Sequence, residues 1–152
     1  MDRGTNTTSA PILAHPNETG TFYLDTDASY CSIGAVLYQE QDGLEKVIGY
    51  YSKTLHRAQK NWCVTRKELY AVVKAISNFH TLLFGRKFVV RTDHSALQWL
   101  MNFKNPEGQT ARWLEYLQTY GFDVCHRRGK SHINADSLSR IPCEKTCKHC
   151  NK

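Results

Sequence analysis

The sequence predicts an α/β domain with a mixed β-sheet, and three observations predict it. Three strand-like runs stand close together near the start of the chain. A long segment with one apolar helical face follows, and shorter strands then alternate with helices. The resulting order, βββαβααβα, is that of a sheet with helices on its faces.

The first strand, 21–27, holds Phe22-Tyr23-Leu24-Asp25-Thr26-Asp27. Phe22, Leu24 and Thr26 alternate onto one face; Tyr23, Asp25 and Asp27 fall on the other. A strand this apolar belongs near the middle of a sheet. Its two acids are costly there unless something compensates them. A cation, a basic partner or water at an open strand end would each serve. The second strand, 33–39, contains Ala35-Val36-Leu37-Tyr38, and the third, 46–52, contains Val47-Ile48-Gly49-Tyr50-Tyr51. Asp42-Gly43 between them suits the positive φ of a tight hairpin turn.

Helical spacing begins near Val64. Thr65 with Glu68 three residues on has the pattern of a capping box. Leu69, Val72, Val73, Ile76, Phe79 and His80 recur at three and four, which predicts one apolar face through about Leu83. Gly85 is placed to end the segment. Lys87 to Thr92 reads as a strand reached by a crossover onto the same sheet. A short helix from Asp93 to Met101, a loop at 105–108, a helix over 111–120, a strand over 122–126 and a final helix over 134–140 complete the order.

The 152 residues fit one domain. A chain of this length buries roughly 68–70% of its unfolded surface and needs no disulfide staple. Residues 1–20 read as a tail or the remnant of a preceding connection, with Pro11-Ile12-Leu13-Ala14 able to dock; 141–152 reads as a polar tail. The net charge of +6 favours a polyanionic partner such as nucleic acid. No run approaches the 18 apolar residues of a membrane span, and the first residues lack an apolar signal core. The six cysteines are an even count, but three lie in the last ten residues and the others are scattered, which argues against a disulfide framework and for a reduced, intracellular setting. Cys143, Cys147, His149 and Cys150 resemble half a zinc site, with Cys147-x2-Cys150 the one closely spaced pair.

Four acids stand at element ends or on helix faces: Asp27, Glu68, Asp93 and Asp136. Asp27 and Asp93 end the first and fourth strands. Should these strands be parallel neighbours, both acids reach the edge where open α/β sheets place ligands. Glu68 and Asp136 lie in first turns, where the helix dipole alone favours an acid. Four acids converging at one edge would repel each other without a cation. Hard oxygen ligands suit Mg2+ or Mn2+, and two such ions about 3.5–4 Å apart form a clamp suited to phosphodiester cleavage.

Several motifs together resemble a known family. They are Thr26-Asp27-Ala28-Ser29, Gly34-Ala35-Val36-Leu37, Lys67-Glu68-Leu69, Thr92-Asp93-His94, Arg112-Trp113, Arg127-x-Gly129-Lys130 and Ala135-Asp136-Ser137-Leu138-Ser139-Arg140. In order and spacing they resemble the RNase H domain of gypsy-type LTR retrotransposon reverse transcriptases, from about Ser9 to Pro142. The resemblance implies an RNase H-like domain over 21–140, with a five-stranded mixed sheet in the order 3-2-1-4-5 and helices on both faces. It implies an endonuclease that cleaves the RNA strand of RNA–DNA hybrids during reverse transcription. By the matching motifs, Asp27, Glu68, Asp93 and Asp136 would hold two Mg2+ or Mn2+ ions, with no small-molecule cofactor. Asp25 would stand outside that shell, about 6–7 Å back along the strand.

His126 lies ten residues before Asp136, the spacing at which retroviral relatives carry a histidine that assists proton transfer or product release; gypsy-type elements usually have tyrosine. A histidine titrates in the right range for that role. Arg127, Arg128 and Lys130 are placed to grip phosphates, and Ser29 and Gln59 to meet the hybrid. Arg128 replaces the family's usual proline and His132 its usual asparagine. The loop over 102–108 lacks the basic helix of cellular RNases H, which implies a weak grip on substrate. The chain has no Tyr/Phe-x-Asp-Asp polymerase motif, so it reads as a piece of a pol polyprotein whose polymerase domain normally acts in cis, or as a truncated open reading frame. Two other readings share this sequence. An integrase-type nuclease has the same fold but a late glutamate where Asp136 stands, and a catalytically silent domain would bind nucleic acid or a polymerase partner. An aspartic protease is excluded, because Asp27 follows Asp25-Thr26 where that site needs glycine.

Overall fold

The computed structural model describes residues 12–95 and 107–127. Five strands form one mixed sheet: β1 (Phe22–Ala28), β2 (Ser32–Gln41), β3 (Leu44–Thr54), β4 (Phe88–Thr92) and β5 (Phe122–His126). Their spatial order is β3-β2-β1-β4-β5, with β1 in the centre. β1, β2 and β3 run antiparallel; β1 pairs β4 and β4 pairs β5 in parallel. The helices are α1 (Arg57–Lys60), α2 (Val64–Asn78), α3 (His80–Leu83) and α4 (Gly108–Gln118). The helices expected at 93–101 and 134–140 lie outside the described residues.

The β2–β3 hairpin closes on Asp42 and Gly43, at φ 54° and 75°. Positive φ at both central residues is what a tight hairpin needs, and Asp-Gly tolerates it. The ladder slips by one residue at Leu37/Tyr38, where β3 contributes an extra residue, Ile48.

The core lies between the sheet and α2. Leu24, Leu37, Leu69, Ile76, Val90 and Leu117 are fully buried in it. The apolar face expected on the long helix is present except at His80, which is exposed and turns its Nδ1 to the Tyr120 hydroxyl. The helix expected to run to Leu83 breaks at Phe79, with φ −99° and ψ 20°. The Phe79 ring lies where a Cβ on Gly49 would come within 2.9 Å of it, so the glycine permits close packing of ring on strand. Gly85, at φ 77°, ends the segment as expected. The helix expected over 111–120 begins three residues earlier, at Gly108.

The expected capping box at Thr65 and Glu68 does not form. Helix α2 starts at Val64 with Cys63 as N-cap and no side-chain cap bond. Glu68 is 3% exposed, drawn toward β1 rather than back onto its own helix end. The box pattern occurs instead at α1, where the His56 N–H donates to Gln59 Oε1 at 3.1 Å.

The segment before β1 is docked on the sheet. The Ala14 N–H donates to the Val47 carbonyl at 2.7 Å, while Ile12 and Leu13 remain exposed. Gln39 is fully buried and reads this segment: its Oε1 accepts from the Asn17 N–H, and its Nε2 donates to the Asn17 and Gly20 carbonyls. Arg86 donates to the carbonyls of Asn17 and Glu18.

Candidate metal centre

Parallel pairing of β1 and β4 brings their C-terminal ends together. Asp27 stands at the end of β1, and Asp93 follows the last residue of β4. Helix α2 crosses this side of the sheet and delivers Glu68 from its second turn. One oxygen from each of Asp27, Glu68 and Asp93 lies within 4.8 Å of the other two. Asp27 and Glu68 are buried and Asp93 is exposed, so the group opens to solvent on one side. Asp136 lies outside the described residues.

Burial pushes the Glu68 carboxyl well above its usual range, and the charges of Asp27 and Asp93 push the same way; the Ala28 N–H opposes them. Glu68 Oε2 is buried without a hydrogen-bond partner. An orphaned buried oxygen is costly. Beside two further carboxylates it fits the donor set of a hard divalent cation, which takes oxygen ligands. Mg2+ or Mn2+ therefore suits these residues, and Asp27, Glu68 and Asp93 would hold it.

The second acid of β1 has another fate. Asp25 pairs across the ladder with Arg91, whose Nε donates to its Oδ1. The same guanidinium donates to both oxygens of Glu45, at 2.7 and 3.1 Å. It lies over the rings of the neighbouring Tyr23 and Tyr38, at 4.8 and 5.3 Å from their centroids. Of the compensators open at the outset, Asp25 takes the basic partner. Arg91 had one legible signal: a single charge closing an otherwise apolar Phe88-Val89-Val90 run.

His126 ends β5 opposite Thr92 and is exposed. Its Nε2 lies 2.9 Å from the Asp93 carbonyl. Arg127 places its Nη1 3.9 Å from Asp25 Oδ2. Arg128 and Lys130 lie outside the described residues, as do Cys143, Cys147, His149 and Cys150. Ser29 is buried, and its hydroxyl accepts from the N–H groups of Cys31 and Ser32 in the β1–β2 turn. Gln59 is buried too, holding the start of α1. Ser29 therefore shapes the turn that follows Asp27, and Gln59 the start of α1. His94 was missed by sequence reasoning. Burial lowers its pKa, with Asp93 opposing and His126 adding to the effect, and its Nδ1 is buried without a partner. Its place directly after Asp93 was the available signal.

A family model described as the RNase H-like domain found in reverse transcriptase matches residues 17–120. The retrovirus-related Pol polyprotein from transposon 297 of Drosophila melanogaster is 40% identical over 134 residues, covering 88% of this chain and 12% of that protein. The one from transposon opus, of the same organism, is 36% identical over 135 residues, covering 88% and 14%. The transposon Tf2-3 polyprotein of Schizosaccharomyces pombe is 36% identical over 138 residues, covering 88% and 10%. The chain thus spans at most 14% of the length of these relatives.

Among solved structures, the foamy viral protease-reverse transcriptase in complex with RNA/DNA hybrid matches with a TM-score of 0.62 at 19% identity, over 85% of this chain and 17% of that one. LC11-RNase H1 in complex with RNA/DNA hybrid matches with a TM-score of 0.60 at 16% identity, over 79% and 93%. These likenesses agree with the strand order 3-2-1-4-5 and show the fold. With the match over 17–120 and the Pol polyprotein relatives, the chain belongs to the family of RNase H-like domains found in reverse transcriptases.

Proposed function

We propose that this chain is a divalent-metal-dependent endonuclease that hydrolyses the RNA strand of RNA–DNA hybrids, serving reverse transcription in a gypsy-type retrotransposon. The observation that carries the reading is the convergence of one oxygen each from Asp27, Glu68 and Asp93 within 4.8 Å of one another, with Glu68 Oε2 buried without a hydrogen-bond partner. Asp136 is proposed as the fourth ligand by its place in the matching motif. Residues 21–140 would form the nuclease unit, with the polymerase domain of the parent reverse transcriptase normally in cis and the setting intracellular.

A pair of Mg2+ or Mn2+ ions bound by these acids would activate the attacking water and stabilise the leaving oxygen. The chain's own residues preorganise the cradle. Antiparallel pairing with β2 fixes Asp27 opposite Gly34, and parallel pairing of β1 with β4 brings Asp93 alongside it. Burial on α2 and the Ala28 N–H aim Glu68 at the same point. Arg127, with Arg128 and Lys130 beyond it, would contact phosphates of the hybrid, in keeping with the net charge of +6.

The test uses a hybrid with each strand labelled in turn, together with duplex DNA and duplex RNA. Purified protein with Mn2+ or Mg2+ is expected to cut only the RNA strand of the hybrid, and Asp93→Asn to abolish the cut. Hybrid binding without any cleavage would favour the silent-domain reading instead.

A further inference from the structure

We infer that His126 is a positioning residue: through Nε2, which is then not free to relay a proton, it fixes the main chain at Asp93. The inference rests on the metal-centre reading above. It starts from where the β4–β5 ladder stops. Thr92 is the last residue of β4 with a partner on β5, and that partner is His126. Asp93 lies one residue past the ladder, so sheet pairing does not hold it.

Three hydrogen bonds take over at this point. The Arg127 N–H donates to the Thr92 carbonyl at 2.8 Å. The His94 N–H donates to Thr92 Oγ1 at 3.1 Å, and Thr92 is fully buried. The third bond acts on Asp93 itself. A carbonyl oxygen only accepts, so at 2.9 Å His126 Nε2 is the donor and carries the proton. The carbonyl of Asp93 is thereby tied to β5, while its carboxylate faces Asp27 and Glu68.

This geometry separates two roles for the same side chain. A histidine relaying a proton through Nε2 must leave that nitrogen bare in one half of the cycle. Here Nε2 is engaged as a donor to the chain, and giving up its proton to become an acceptor would cost the bond. A residue that orients a metal ligand through its main chain resembles the outer partners of metal sites, whose loss typically weakens metal affinity or activity about 10–100-fold. Glutamine presents a comparable N–H at similar reach but does not titrate, so it separates positioning from proton transfer.

The experiment measures Mn2+ affinity without substrate, by calorimetry, for wild type, His126→Ala and His126→Gln, with thermal melting to confirm folding. Cleavage kinetics on the hybrid are measured in parallel. We expect His126→Ala to weaken Mn2+ binding about 10-fold or more. His126→Gln should keep the affinity within about 3-fold and retain most of kcat, the range a preserved outer hydrogen bond allows. Unchanged Mn2+ affinity in both variants, with kcat lost in both, overturns the inference and assigns His126 to proton transfer. A wild type that binds no Mn2+ overturns the metal-centre reading first, and this inference with it.

Discussion

Arg91 on β4 and Asp25 on β1 form an ion pair inside the sheet, with side chains only 7% and 5% exposed. This pair divides the labour between the two acids of the central strand. Asp25 is neutralised by a guanidinium that also grips Glu45. Asp27, two residues on, meets Glu68 and Asp93 instead. One strand thus holds a structural carboxylate and a candidate ligand a single pleat apart.

The first prediction concerns that pair. Removing one partner of a buried ion pair leaves the other charge uncompensated, typically at about 3–5 kcal/mol. Arg91→Met should lower the urea-unfolding free energy by this order. Adding Asp25→Asn should restore part of the loss, so the double variant is more stable than the sum of the singles.

A second prediction follows from Glu68. Its folded carboxyl is pushed well above the usual value of 4.5, mainly by burial. In the metal-free protein the folded state therefore holds that proton more tightly than the unfolded chain. Stability contributed by the group is full below pH 4.5 and falls as pH rises toward the folded value. Glu68→Gln should stabilise the metal-free protein at pH 7–8, and the gain should vanish near pH 4. Adding Mg2+ should raise the melting temperature of wild type and not of the variant.

The docked segment before β1 supplies a third. Gln39→Ala would remove the side chain that satisfies the Asn17 N–H and the carbonyls of Asn17 and Gly20. These groups lie near the surface, so each lost bond costs about 0.5–1.5 kcal/mol net. Amide exchange over residues 14–20 should accelerate sharply. Gly20→Ala should act similarly, because its Cβ would meet the Glu40 carbonyl at 2.2 Å.

Much of this architecture was legible in the sequence because it rests on local pattern. Alternation located β1, Asp42-Gly43 located the hairpin, and the three–four repeat located α2. Asp27, Glu68 and Asp93 were legible because nothing local explains their convergence at one sheet edge. What escaped depends on register. The pairing of Asp25 with Arg91 exists only once β1 and β4 align, and Gln39 finds its partners only across the sheet. Thr65 and Glu68 misled for a related reason: a short-range capping pattern lost to burial of Glu68 against β1. The bond of His126 to the Asp93 carbonyl escaped for the same reason as the Asp25–Arg91 pair: it needed β5 beside β4.

The measurement that bears most directly on the central claim is cleavage of a 5′-labelled RNA strand in an RNA–DNA hybrid as Mn2+ is titrated, with Asp27→Asn in parallel. Discrete RNA products that grow with Mn2+, disappear with chelator and are missing in Asp27→Asn are the expected result. RNA cut equally well with chelator present, or by Asp27→Asn, would contradict a metal centre built on Asp27, Glu68 and Asp93.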